Sequence, residues 1–205
     1  MLRFTAAAVL LLTLSTATLA DLIIEARETG GDVVFTTSGS LDLTGWTKST
    51  GSSDSFIRPN GGFIAFGTPV SADLYYLGSD LSPTNFGTGG YEESTSASGD
   101  PFSFLAAGDV SFGATVWVET NYVFGQSIEA TMTFENATLD SLGIDSGDTV
   151  WSWSIEPVAF GVSPVNGASI TDSITLRAIP EPSAFAFLGL IGLVAGGRSW
   201  WKRRH

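Results

Sequence analysis

From residue 127 to 135 the chain reads SIEATMTFE, and its polarity changes at nearly every step. Ile128, Ala130, Met132 and Phe134 fall on one side of an extended chain, and Glu129, Thr131, Thr133 and Glu135 on the other. That is the period of two of a strand with one face in a core and one in water. Trp151, Trp153 and Ile155 repeat the pattern.

Short β-branched or aromatic runs between turn residues extend the reading along the chain. They lie at 22–27, 32–37, 62–66, 74–77, 110–119, 127–135, 149–156 and 173–178. The same region holds most of the 24 glycines, much Ser and Thr, and few helix formers. It predicts an all-β domain, and eight strands suit a β-sandwich or jelly roll. Residues 78–100, dominated by Ser, Thr, Gly, Pro and Asn, read as a long surface loop. No repeat of 20–50 residues is visible, which disfavours a solenoid or propeller.

Both ends are set apart from that domain. Residues 1–20 carry one positive charge at Arg3, an apolar stretch over about 6–14, and small residues before Asp21. This is the pattern of a secretory signal peptide, and the apolar stretch is well short of the roughly 20 residues that a membrane span needs. Ala20 with Thr18 meets the small-x-small requirement of signal peptidase, so cleavage is expected after Ala20, with Ala17 and Ser15 a second choice.

Residues 21–179 then form one domain of 159 residues, long enough to bury a core of its own. There is no cysteine, which excludes disulfides, thiol catalysis and thiolate metal sites. Twenty of the 21 acidic residues fall in this stretch, with only four basic ones (Arg27, Lys48, Arg58, Arg177), a balance of −16. Such a domain repels phosphate backbones and anionic head groups, so nucleic-acid binding has no basis here.

The tail, 180–205, has three parts: the triplet Pro180-Glu181-Pro182 followed by Ser183, an apolar segment, and a basic end. The prolines cannot donate to a ladder and disfavour helix before them, so the last strand must stop and the chain stays extended. Residues 183–197 carry no charge and as a helix would rise about 22 Å, short of a roughly 30 Å hydrocarbon core. Trp200 and Trp201 suit the interface and Arg198 can snorkel, so a single transmembrane helix is expected over about 183–201. With Arg198, the cluster Lys202, Arg203 and Arg204 places the tail end in the cytoplasm and the acidic domain outside.

Triplet, short span and basic end, in that order and behind a signal peptide, resemble the PEP-CTERM sorting signal. The resemblance implies a Gram-negative bacterium that makes extracellular polysaccharide, and an exosortase, a membrane cysteine transpeptidase, that cuts near the triplet. Residues 21–179 also resemble a recurrent, poorly characterised ectodomain of such proteins, through GSLDLTGW near Ser40, FGTGG at 86–90, and DTVWSW followed by DSITL before the tail. No activity travels with that second resemblance.

The domain offers little chemistry. Its sequence lacks histidine, since His205 lies beyond the apolar segment, so a Ser-His-Asp triad or a histidine metal site cannot be built in it. A Ser-Lys pair would have to use Lys48, in TKSTGSSDS, which reads as loop. Carboxylates are abundant, but no spacing singles out a glycosidase pair. Asp145-Ser146-Gly147-Asp148 offers oxygens around a turn without the twelve-residue calcium loop, and reads as a plain turn. Trp46, Trp117, Trp151 and Trp153, with Tyr75, Tyr76 and Tyr91, could include a flat platform for sugar rings, although Trp151 and Trp153 share one face of a strand and read as core.

The expectation is a non-enzymatic surface or matrix protein, without cofactor or metal, that serves a structural or adhesive role in an exopolysaccharide layer. Its partners would be signal peptidase, exosortase, the membrane before processing, and extracellular polysaccharide. A carbohydrate-binding module is the alternative, and a calcium-binding adhesin the third reading.

Overall fold

The computed structural model describes residues 21–44, 46, 48–67, 70–77, 80–107, 113–145, 150–155 and 172–181. These residues are mostly strand and contain no α-helix, and they form two sheets, as the all-β reading expects. The six-stranded sheet is made of β1 (Asp21–Thr29), β2 (Asp32–Gly39), β8 (Ser96–Gly99), β11 (Ala130–Phe134), β12 (Val150–Ile155) and β13 (Asp172–Ile179). Its order is β12-β13-β1-β2-β11-β8. The seven-stranded sheet contains β3 (Lys48–Ser53), β4 (Phe56–Arg58), β5 (Phe63–Phe66), β6 (Val70–Tyr76), β7 (Glu92–Glu93), β9 (Phe102–Leu105) and β10 (Thr115–Glu119). Its order is β3-β6-β10-β9-β5-β4-β7.

The alternation read at 127–135 is the burial pattern of β11: Ile128, Ala130, Met132 and Phe134 are buried, Glu129 and Glu135 exposed. Trp151, Trp153 and Ile155 likewise turn inward from β12. One contiguous core draws on both sheets, with Leu22, Ile24, Phe35, Trp153 and Leu176 from one and Ile57, Ile64, Phe66, Phe104 and Val116 from the other. Phe104 and Trp153 meet across it with ring centroids 4.9 Å apart. The indole N–H of Trp153 donates to the Pro83 carbonyl at 2.5 Å, which satisfies the one polar atom that this large side chain brings into the core.

Stretch 78–100 departs from the loop reading. It supplies β7 and β8, and Gly87 bridges Ile144. Its small polar residues pair through their backbone, which composition does not reveal. Strand β8 adds to the edge of β11, with Ser98 opposite Thr131. Lys48 likewise lies in a strand, not a loop.

Strand β13 runs parallel to β1, and their last pairs are Ala26 with Ala178 and Arg27 with Ile179. The chain therefore leaves the sheet beside the β1–β2 hairpin. That hairpin closes on Gly30 and Gly31, with φ of 66° and 90°, the two positive values that a tight primed turn requires. Asp21, at the other end of β1, faces Ser173.

Candidate functional site

Two places gather side chains that packing alone does not account for. One is the exit of the chain from β13. Pro180 follows the last paired residue, Ile179, and being without an N–H it stops the ladder there. Glu181 then turns back onto the hairpin. The Gly30 N–H donates to Glu181 Oε1, and the Glu181 N–H donates to Glu28 Oε2 at 3.2 Å. Glu28 Oε1 in turn accepts the Leu139 N–H at 2.6 Å, so one carboxylate joins the start of the tail to the 139 region. Pro182, Ser183, the basic residues Arg198, Lys202, Arg203 and Arg204, the expected span at 183–201, and Ala20 with the signal peptide all lie outside the described residues.

The other place is the outer face of the seven-stranded sheet. Strands β9 and β10 point Phe102, Phe104, Val116 and Val118 into the core, so Ser103 and Trp117 point outward. Strand β4 buries Ile57 and turns Phe56 outward, and β5 buries Ile64 and Phe66 and turns Phe63 and Ala65 outward. The register lines up Leu74, Trp117, Ser103, Ala65, Phe56 and Glu93 straight across six strands.

The rings on this face touch in sequence. Tyr91 lies 4.8 Å from Phe56, Phe56 lies 4.7 Å from Phe63, and Phe63 lies 5.5 Å from Trp117 with only 19° between their planes. At the far end Gly51 of β3 makes room for the indole. A Cβ there would fall 2.8 Å from Trp117 Nε1 and 3.2 Å from Cδ1, so the indole leans across β6 and over Gly51. At the near end is a hollow of about 400 Å³. Asp54, Ser55, Tyr91, Glu93, Ser94 and Thr95 are among the residues that line it. Tyr91 is 52% exposed and its hydroxyl donates to Glu93 Oε1 at 3.0 Å. Its phenol is held above the ordinary value, first by loss of hydration and then by that hydrogen bond and the negative charges of Glu93 and Asp54.

Of the aromatic residues named from the sequence, Trp151, Trp153 and Tyr75 belong to the core and Trp46 packs against it. Trp117, Tyr76 and Tyr91 lie on the outer side, and the structure adds Phe56 and Phe63, which sequence reasoning missed. The signal that could have found them is FIRPNGGFIAF, in which a tight turn brings two phenylalanines into diagonal register.

The remaining candidates are structural. Lys48 forms an ion pair with Asp73 at 2.6 Å, and Asp73, almost fully buried, also accepts the Asn121 N–H at 3.0 Å. The hydrogen bond to Asp73 holds the Lys48 ammonium above its ordinary value, against a smaller opposing effect of desolvation. No serine is drawn into that pair by any described contact. Asp145 is exposed, and Ser146, Gly147 and Asp148 lie outside the described residues. Among the described residues no three His, Cys, Asp or Glu side chains stand together as a metal site. None of their helices is long and apolar enough to cross a membrane.

Comparison with protein-family models, with curated proteins and with solved structures finds no match for this chain.

Proposed function

We propose that this chain is an exported surface protein whose tail is a PEP-CTERM sorting signal handled by an exosortase. It has a β-sandwich ectodomain and a C-terminal single transmembrane helix. The precursor is cut by signal peptidase after Ala20, spans the inner membrane once with Lys202, Arg203 and Arg204 in the cytoplasm, and delivers the ectodomain to the cell surface or matrix. There it serves a non-catalytic, structural or adhesive role in the exopolysaccharide layer.

The observation that carries this reading is the three-part tail itself, Pro180-Glu181-Pro182-Ser183, apolar segment and basic end. It agrees with the way the last strand ends one residue before Pro180. The test is a deletion of 182–205, which spares Ile179 and its pairing with Arg27. The truncated protein should be found in the periplasm or medium. Unchanged surface location on fractionation overturns the sorting claim, as does a mature surface protein whose mass still includes His205.

A second reading, a carbohydrate-binding module, is favoured by the aromatic row. A domain with a dedicated ligand would hold the polymer layer and not merely sit within it.

A further inference from the structure

We infer that the row Tyr91–Phe56–Phe63–Trp117, with the hollow beside Tyr91, is a binding site for an uncharged polysaccharide chain. The inference rests on the carbohydrate-binding reading and is independent of how the tail is processed.

Four features carry it. First, the rings are contiguous, each centroid 4.7–5.5 Å from the next, so the face suits an elongated ligand and not a single small molecule. Ring faces attract the C–H faces of pyranoses, and Tyr adds a polar end. Second, the sheet is shaped around the indole. Gly51 lacks the one atom that would collide with Trp117, and Ala65, a small residue, occupies the outward position opposite Phe56. Third, the row ends at the carboxylates of Asp54 and Glu93, which border the hollow beside the Ser94 and Thr95 hydroxyls, themselves bonded to Ser55 and Thr133. An apolar stacking surface with a few convergent polar groups is what a sugar needs, since each hydroxyl taken from water must find a partner.

Fourth, charge selects the occupant. The stretch 21–179 carries −16, and Glu93 and Asp54 stand at the site itself, so an anionic polymer is repelled. A second copy of the chain would bring the same charge, which disfavours self-association through this face. A neutral chain pays neither cost.

The experiment is binding of the full chain, purified in detergent, to insoluble β-1,4-glucan, xylan and α-glucan, with alginate as the anionic probe. Wild type should bind at least one neutral polymer and not alginate. Trp117→Ala should weaken that binding by about tenfold or more, the scale of one lost aromatic contact. Tyr91→Ala should weaken it too, and because Tyr91 is exposed, this variant keeps its fold. Thr131→Ala, on the opposite sheet, should bind as wild type does. If wild type binds no neutral polymer, both the module reading and this site fall. If it binds one and Tyr91→Ala and Trp117→Ala bind equally well, the module reading survives and this site is wrong. A dimer that Trp117→Ala dissociates, or tighter binding to alginate, also overturns the proposal.

Discussion

The outer faces of the two sheets stand in equivalent places on one core, yet they are built from opposite materials. A row straight across the six-stranded sheet reads Ser98, Thr131, Thr36, Glu25 and Arg177, and ends at the β12 edge on the exposed Val150. The corresponding row across the seven-stranded sheet reads Leu74, Trp117, Ser103, Ala65 and Phe56 before it reaches Glu93. Apart from Val150 the first is what water selects: hydroxyls and paired charges, with Arg27 and Glu25 3.5 Å apart beside the row. It shows that this protein has no difficulty making a solvated sheet face. The aromatic face is therefore not a general consequence of composition, and its contiguous row of partly exposed rings is what sets it apart.

The comparison holds only if both faces are veneers on a single core, and the largest expected effect tests that. Trp153, fully buried between the sheets against Phe104, should cost about 3–5 kcal/mol when changed to Ala, in one cooperative denaturant transition. Two separate transitions would mean that the sheets are separate units and the faces are not comparable. Next in size is a change within the polar sheet. The buried hydroxyl of Thr37 accepts the Ala130 N–H at 2.8 Å and donates to the Ile128 carbonyl at 3.1 Å, continuing the β2–β11 ladder where backbone pairing ends. Thr37→Val keeps the shape but orphans both groups, so it should lower stability by about 1–3 kcal/mol. A neutral result would show that water reaches this edge and that the six-stranded sheet is more open than its register implies.

A smaller effect separates the faces directly. Trp117→Ala removes a half-buried indole that packs on Phe63, and should cost roughly 1–2 kcal/mol by chemical denaturation. Thr131→Ala at the matching position of the other face should stay within about 0.5 kcal/mol. Equal costs would erase the distinction between a solvated face and a contact face.

The same contrast explains what the sequence disclosed. Strands β1, β2, β11, β12 and β13 all lie in the sheet with one wet face, and β11, β12 and β13 announce themselves by alternation, as in Ile174, Leu176 and Ala178 against Ser173, Thr175 and Arg177, while Ile23 and Val34 interrupt it in β1 and β2. The other sheet is apolar on both sides, so its strands lose the period of two. FSFL of β9 sets only Ser103 against its apolar residues, and in β4 the run is only three residues long. Strand β3 fails for the opposite reason. KSTGSS has no apolar side chain at all, because it is an edge strand and Gly51 must stay small beneath Trp117. The candidate site was legible only as a set of names. Trp117 and Tyr91 stand out in the sequence, but the row depends on a register that joins residues 56, 63, 91 and 117, and no local pattern encodes that. The tail is the reverse case: its three parts stand out in composition, and only Pro180 and Glu181 lie within the described residues.

The smallest effect comes from pH, and it reports on one side of the comparison. The four tyrosines are Tyr75, Tyr76, Tyr91 and Tyr122, and none lies in a strand of the six-stranded sheet. Burial raises the phenols of Tyr75 and Tyr122, in Tyr75 against the lowering influence of Lys48, and in Tyr122 against that of its contact with Leu41. A phenol whose pKa is raised by folding is protonated in both states below the ordinary value near 10, so its contribution is intact there. As pH rises through that value the unfolded chain loses its proton first, and stability falls until the folded phenol also ionises. Lys48, raised by Asp73, loses its contribution over the same alkaline range. The melting temperature should therefore be flat from neutrality to about pH 9 and decline beyond about pH 10. The Tyr122 hydroxyl accepts the Leu41 N–H at 3.0 Å and faces the Leu41 and Gln126 carbonyls at 3.1 and 2.7 Å. Tyr122→Phe should make the alkaline decline shallower. A decline that stays as steep in Tyr122→Phe and Tyr75→Phe would place the sensitive groups at Tyr91, on the outer face itself, and at Lys48.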